Sequence, residues 1–239
     1  GKMLGTLQMG NVSGMLFGPI FGGLLADVFG FQYTFMITSI TLLISALIVF
    51  LGIQEIKKTA NKKTVQYSRK TIVQAIFKHR LMFNVMLVTA IIQIGNFSIQ
   101  PLLSLYVAEL TDAKDVALLA GLTFSAAGLG NLLFARKWGK IGDDIGYEKV
   151  LSILLVLSFI FIIPQAFVTQ LWQLMICRLL FGIAIGGMIP VTTALVRREA
   201  PIDIQGEVMG YNTSFRFLGN IIGPMLGGII SGFIGIASV

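Results

Sequence analysis

The chain has 239 residues, of which 55% are apolar and 12% charged, and its mean hydropathy is +0.85. This composition excludes a water-soluble globular domain, in which about 25% of residues are charged. The formal charge of +7 would suit a nucleic-acid partner, but the placement of the basic residues argues against one. A single cysteine and a single histidine exclude an internal disulfide and a Cys/His metal cluster, and we expect neither a metal nor a cofactor.

Seven apolar segments follow one another along the chain, each long enough to cross a membrane as a helix. A bilayer core requires about 20 apolar residues in a form that satisfies its own backbone hydrogen bonds. Five segments contain no charge, and the other two contain one arginine each, Arg178 and Arg216. The sequence therefore predicts an all-α, polytopic transmembrane protein, with spans at residues 3–26, 33–53, 81–106, 116–135, 150–168, 171–196 and 208–234.

The basic residues lie in the connections on one side of the predicted bundle. The connection at residues 57–80 carries eight lysines and arginines and no acid, whereas Lys114 is the basic residue among the acids of the opposite side. Because cytoplasmic loops retain positive charge, we expect a multi-pass protein of the cell membrane with its basic connections in the cytoplasm. The charge then reflects topology, and no nucleic-acid partner is expected.

The connection at residues 57–80 also contains apolar residues at helical spacing, namely Ile72, Val73, Ile76 and Phe77. Two interpretations remain open for this segment. It forms either a solvated tether with one short helix or an amphipathic helix that lies on the membrane surface.

Eight glycine and proline positions recur at a constant displacement of 205 residues. Gly1, Gly5, Gly14, Gly18, Pro19, Gly22, Gly23 and Gly30 match Gly206, Gly210, Gly219, Gly223, Pro224, Gly227, Gly228 and Gly235. Six helix starts separate the copies, which predicts parallel six-helix halves with a substrate site between them. The chain would be a fragment covering helices 5 to 11. Residues 1–56 would end the first half, 57–80 would form the central loop, and 81–239 would belong to the second half.

The first span contains Gly14, Gly18, Pro19, Gly22 and Gly23 in the order G-x-x-x-G-P-x-x-G-G. Glycines four residues apart let a neighbouring helix approach closely, and a proline bends the span, so tight packing alone would also explain the pattern. In this motif the chain resembles the major facilitator superfamily, specifically its twelve-helix drug:proton antiporters of the bacterial multidrug-efflux type.

The resemblance implies a major-facilitator-type fold and a secondary carrier that works by alternating access. It also implies a lipid bilayer, small hydrophobic or cationic substrates and protons as partners, and a carrier that is monomeric when complete. No acid lies inside a predicted span, so proton coupling rests on the resemblance.

Residues 137–150, KWGKIGDDIGYEKV, resemble the cytoplasmic loop motif of that family in its second half. Gly142 and Gly146 are expected to permit a tight reversal, and Asp143 to accept from a helix N-terminus or to pair with a cation. The resemblance implies a conformational latch, although Asp144 replaces the usual arginine. An ordinary short turn is the alternative.

Two arginines lie inside predicted spans. Burying Arg178 unpaired would cost several kcal/mol, and the resemblance makes it the counterpart of an arginine linked to proton coupling. The alternative is that it extends to the external interface. Arg216, with Asn212 and Asn220 on its face, either faces the central cavity or reaches the cytoplasmic headgroups.

Polar and aromatic residues inside the spans are candidates for the substrate pathway. Polar side chains there are costly unless they meet water or other helices, so the amides either line the passage or join helices. Aromatic and methionine side chains would supply an adaptable apolar pocket. The predicted pathway residues are Gln93, Asn96, Phe97, Gln100, Phe124, Met188, Asn212 and Phe215.

Other functions compete with transport as interpretations of this sequence. An intramembrane enzyme needs a nucleophile and a base within reach, but the only histidine, His79, lies in the basic connection, so no enzymatic activity is expected. A non-transporting sensor of the same fold and a sugar or amino-acid exporter remain as alternatives.

Overall fold

The computed structural model describes residues 2–52 and 68–235, which form eight α-helices and two short 3-10 helices. The α-helices are α1 (Lys2–Phe29), α2 (Phe31–Gly52), α3 (Arg69–Lys78), α4 (Arg80–Leu110), α5 (Val116–Ile145), α6 (Tyr147–Ile162), α7 (Leu171–Glu199) and α8 (Gln205–Ile234). The 3-10 helices are Ile163–Phe167, which contains Pro164, and Ile202–Ile204.

Five of the seven predicted spans fall within one long helix of the described chain. The span predicted at 33–53 matches α2 as far as Gly52, where the described residues pause. The span predicted at 150–168 is not one α-helix, because α6 ends at Ile162 and the 3-10 helix Ile163–Phe167 continues it. By length and composition, five of the described segments can cross a membrane: α2, α4, α5, α7, and α6 together with the 3-10 helix after it. The described part of α1 contributes the shorter apolar stretch Ser13–Phe29, and α8 is not among the five. That α1 and α8, which carry the two glycine-rich copies, cross the membrane therefore stays a prediction.

Several helices continue into connections that were predicted to be loops. The predicted span at 116–135 belongs to a helix that ends at Ile145, so most of the motif at residues 137–150 is helical. Gly146 alone separates α5 from α6 and has a φ of +95°, which a glycine adopts without strain. Gly30 separates α1 from α2 in the same way, with φ +83°, and its repeat partner Gly235 has φ +104°.

Small residues allow close contact at the centre of the bundle, where α5 lies between α1 and α7. A Cβ added at Gly182 of α7 would overlap the backbone of Ala127, and one added at Gly130 of α5 would overlap the backbone of Leu179. Dispersion contacts between such closely packed backbones stabilise helix pairs that have no hydrophobic driving force in lipid.

The two glycine-rich copies pack differently within the described chain. In α8, Gly219, Gly223 and Gly227 all face α4, and Ser98 of α4 donates to the Gly223 carbonyl at 3.0 Å. Their repeat partners in α1, Gly14, Gly18 and Gly22, have open space where a Cβ would stand. In α1 it is Gly23 that approaches the backbone of α5 at Ala117. The predicted glycine face is thus packed in α8 and unfilled in α1.

The helix α3 docks on the bundle at the end that carries the basic connections, which we call the basic end. Ile72 and Ile76 are 4% and 3% exposed and belong to an apolar cluster with residues from α4, α6, α7 and α8, which we call the basic-end core. Phe77 is largely exposed and contacts Phe83 of α4 in a tilted arrangement, with ring centroids 4.7 Å apart. The short helix of this connection is therefore docked on the bundle through Ile72 and Ile76. Residues 57–67 lie outside the described residues, so the choice between a solvated tether with one short helix and a membrane-surface segment stays open for them.

Candidate functional site

A cavity of about 930 Å³ lies among α1, α4, α5 and α7, with one residue of α2 at its edge. Its volume is at the upper end of the usual range for small-molecule sites. The residues that line it are Gly14, Met15, Pro19, Gly22, Gly23, Asp27, Phe31, Asn96, Gln100, Ser104, Val116, Ala117, Ala120, Gly121, Phe124, Ala127, Gly128, Asn131, Arg178, Phe181, Gly182 and Ile185.

The structure gathers part of the predicted set around this cavity. Asn96, Gln100 and Phe124 of the predicted pathway line it together with Arg178. Four members of the glycine motif, namely Gly14, Pro19, Gly22 and Gly23, form its wall on α1. Residues from widely separated parts of the sequence therefore meet at one site.

Arg178 is 4% exposed and contributes to the cavity wall from α7. Its Nε atom is buried without a hydrogen bond, and none of the ion pairs among the described residues includes it. The side chain is therefore enclosed by the described helices, and its predicted coupling role stays a prediction. A buried guanidinium without an anionic partner costs several kcal/mol, so this residue requires an explanation.

Asp27 lines the cavity and joins α1 to α5. Its Oδ1 accepts from the Ala117 backbone N–H at 3.2 Å, and its Oδ2 accepts from that of Leu118 at 2.6 Å. The carboxylate thus satisfies two of the free N–H groups at the start of α5, where the helix dipole also favours negative charge. Sequence reasoning placed this acid at a span end and gave it no role.

Asn131 and Phe181 also line the cavity and were missed from the sequence. Asn131 is an amide inside the predicted span at 116–135, so the criterion that selected Gln93 and Asn96 would have found it. Phe181 has no such signal, because an aromatic residue in a glycine-rich helix is compatible with lipid, core or cavity.

Five predicted pathway residues lie outside the cavity. Gln93 is 4% exposed and donates from Nε2 to Oδ1 of Asn220 at 2.8 Å, so this amide joins α4 to α8. Asn212 is buried in α8, and Phe97 lies beside Gly223. Met188 belongs to the basic-end core and borders a smaller apolar pocket, and Phe215 meets Phe83 edge-on with centroids 6.2 Å apart.

Arg216 is half-buried in α8 and lines neither of these pockets. Its Nε is buried without a hydrogen bond, and its guanidinium lies 6.0 Å from the ring centroid of Phe217. The coupling or gating role predicted for Arg216 stays a prediction.

The motif at residues 137–150 forms a compact corner between α5 and α6. The hydroxyl of Tyr147 donates to the Asp143 carboxylate, and a Cβ added at Gly142 would overlap the Tyr147 ring. Gly142 therefore makes room for an aromatic ring, whereas Gly146 provides the reversal. The latch role predicted for Asp143, Gly142 and Gly146 stays a prediction.

A charged cluster at the basic end was not foreseen from the sequence. Arg198 of α7 donates to Glu148 of α6 and to its neighbour Glu199, each at 3.0 Å, and the imidazole of His79 lies 3.7 Å from Glu199. The cluster joins the ends of α4, α6 and α7. In the part of the chain that the structure describes, no group of three or more His, Cys, Asp or Glu side chains could hold a metal ion.

Comparison with known proteins identifies the family to which this architecture belongs. The family model of the Major Facilitator Superfamily matches residues 1–135 and 85–239. The chain belongs to the major facilitator superfamily. It is thus a multi-pass membrane protein with an incomplete major-facilitator fold, as predicted.

Two relatives within the superfamily bear on function. The chain is 55% identical over 97% of its length to the uncharacterized MFS-type transporter YuxJ of Bacillus subtilis. It is 40% identical over its whole length to the multidrug resistance protein MdtG of Salmonella typhimurium. In both comparisons the chain spans 59% of the relative's length. These relatives are named for transport or resistance, and the superfamily consists of transporters rather than enzymes.

Proposed function

We propose that this chain forms part of a secondary transporter that exports drugs or other hydrophobic and amphipathic compounds in exchange for protons. Its place is the cell membrane, with the basic end in the cytoplasm. The observation that carries the proposal is the cavity of about 930 Å³ at the junction of the two predicted halves. One wall comes from α1 of the first half and the other from α4, α5 and α7 of the second.

The contact between α1 and α5 supports an alternating-access mechanism. At one end of this seam, Asp27 holds the start of α5, and Gly23 and Gly121 bring the two backbones together. Further along, Ser125 of α5 donates to the Leu16 carbonyl at 2.6 Å. In an alternating-access cycle one half rocks against the other, so the contact between α1 and α5 must open at one end. Packed interfaces of this kind switch between discrete arrangements.

The unfilled glycine face of α1 supports a larger carrier. Gly219, Gly223 and Gly227 of α8 pack on α4, and the repeat makes Gly14, Gly18 and Gly22 their counterparts. We expect a helix that lies outside this chain to pack against these counterparts, and this helix would then form part of the cavity wall beside Gly14 and Gly22. The first half would then repeat the packing of the second.

Two alternatives remain, namely export of a sugar or amino acid and ligand sensing without transport. A polar metabolite would need more hydrogen-bonding groups than the cavity has, since most of its wall is apolar or glycine. A sensor would bind a ligand without moving it.

The test uses the complete protein that carries this chain, reconstituted in liposomes. A neutral lipophilic fluorophore is added outside, and its accumulation is measured with and without an acidic interior. We expect accumulation that depends on the gradient and stops when an ionophore collapses it, with protein-free liposomes as the control. Failure to move any of several unrelated lipophilic compounds would reject drug export. Binding without flux would favour the sensor.

A further inference from the structure

The cavity contains one guanidinium that has no anion to balance it in the described chain. Arg178 is 4% exposed, its Nε forms no hydrogen bond, and no carboxylate of the described residues pairs with it. Arginine presents five N–H donors in a planar fork that fits a carboxylate in a bidentate manner. A buried cation of this kind is stabilised most by an anion that enters the cavity.

Asp27 is the carboxylate among the residues that line the cavity, but it is already engaged. Both of its oxygens accept backbone N–H groups of α5, at 3.2 Å and 2.6 Å. Hydrogen bonds and the helix dipole there stabilise its negative charge. Asp27 thus has its acceptors occupied, whereas the guanidinium of Arg178 has no ion-pair partner among the described residues and is left for a ligand.

Three amide side chains line the same cavity as Arg178, namely Asn96, Gln100 and Asn131. They are half-buried, and none of them forms a hydrogen bond that is seen in the described structure. Their N–H₂ groups can donate to an oxyanion beside the guanidinium. Phe124, Phe181 and Ile185 supply apolar surface for the rest of a ligand.

We propose that the cavity selects amphiphiles that carry one carboxylate on an apolar body, and that Arg178 binds this carboxylate. The proposal rests on the proposed function and narrows its substrate class, because a permanent cation would meet the unbalanced guanidinium. Arg178 is thus a specificity-determining residue of the wall formed by α7.

The experiment compares three probes that share the dansyl fluorophore. Dansylglycine carries a carboxylate, dansylglycinamide is neutral, and the dansyl amide of aminoethyl-trimethylammonium is a cation. Flux is measured with the complete carrier in liposomes, and binding is measured by dansyl fluorescence with the purified carrier in detergent. The variants are Arg178→Gln, Arg178→Lys and Arg197→Gln, which removes an exposed arginine from the same helix. Thermal unfolding in detergent checks that each variant is folded.

We expect dansylglycine to be transported with the lowest KM of the three. Arg178→Gln should raise its KM and Kd by about tenfold or more, because a charge-assisted hydrogen bond is lost. The KM of dansylglycinamide should change by less than about twofold, since it makes no ion pair. Arg178→Lys should keep part of the affinity for dansylglycine that Arg178→Gln loses. Arg197→Gln should behave as the unmodified carrier.

Three results would overturn the proposal. The first is a carrier that prefers the neutral or cationic probe. The second is an equal loss for all three probes in Arg178→Gln together with loss of gradient dependence, which would assign Arg178 to coupling. The third is unchanged binding of dansylglycine in Arg178→Gln. If no probe is transported but binding still depends on Arg178, the carboxylate site stands and the proposed export function fails.

Discussion

Two aspartates lie near the start of α5, and the one that is distant in sequence stabilises it. Asp115 occupies the N-cap position but makes no capping hydrogen bond, whereas Asp27 of α1 accepts from Ala117 and Leu118. Local reading of the sequence favours Asp115 for this role, because an N-cap aspartate is a common helix start. Tertiary packing brings a competing carboxylate to the same N–H groups.

Asp27→Ala should therefore destabilise the protein by about 1–2 kcal/mol, because two N–H groups of α5 lose their charged acceptor. Asp115→Ala should have little effect, since no hydrogen bond is lost. Thermal unfolding of the purified carrier in detergent measures both changes. Equal effects of the two substitutions would show that the contact between Asp27 and α5 does not hold the seam.

Gly121 of α5 tests how closely α1 and α5 pack. A Cβ at this position would overlap the carbonyl group of Pro19, which is backbone and cannot rotate away. We expect Gly121→Ala to lower stability by about 1–3 kcal/mol, measured as a lower unfolding midpoint. Gly139→Ala is the control in the same helix, because open space surrounds Gly139. Matching midpoints for the two variants would contradict the close packing.

At the scale of elements, the sequence predicted where helices form better than where they end. The period of apolar residues and the length of each run identify a span, and both are local properties. The end of an apolar run does not mark the end of its helix. In α5 the predicted span ends at residue 135, but the chain stays helical up to Ile145. Gly146 was predicted to turn the chain, and its positive φ confirms that part of the motif's interpretation.

The docking of α3 is an element-scale property that the sequence left open. Its apolar residues at helical spacing predicted a helix but not the surface that would bury it. The structure buries Ile72 and Ile76 against the basic-end core instead of leaving them for the membrane surface. The amphipathic pattern is the same in both cases, so the choice depended on the other helices.

Ile76→Ala should loosen α3, because a side chain that is 3% exposed leaves a cavity in the basic-end core. Trypsin cleavage at Arg69 and Lys70 should become about tenfold faster, since proteolysis follows the population of the undocked segment. Gln74→Ala, on the exposed face of α3, should cleave at the original rate. An unchanged rate in Ile76→Ala would show that docking does not protect this segment.

At the scale of the whole molecule, the placement of charge predicts orientation. In the complete protein with every cysteine replaced, Cys177 included, a membrane-impermeant maleimide should label Lys114→Cys in intact cells and Lys140→Cys only after permeabilisation. Both lysines are exposed in the described structure, so burial of the side chain would not explain a difference in labelling between the two positions. The opposite labelling pattern would reverse the predicted topology.

The candidate site was only partly predictable, for a physical reason. Polarity inside an apolar span marks Asn96, Gln100 and Arg178, because such groups must meet water, a ligand or another helix. Polarity alone does not show whether a given side chain meets water, a ligand or another helix. Gln93 has the same signal but is bonded to Asn220, and the interface between α4 and α8 decides this.

The sequence by itself determined the membrane class, the helices and the recurrence of glycine and proline positions at 205 residues, because each depends on composition or on spacing along the chain. The tertiary structure alone decided which polar groups share a cavity, which glycines are in contact and which aspartate holds α5. Those properties depend on helices that are distant in sequence and adjacent in space. Backbone N–H groups of α5 bind the carboxylate of Asp27, whereas the guanidinium of Arg178 has no ion-pair partner among the described residues. Packing therefore determines which charged group of the cavity is available to a ligand.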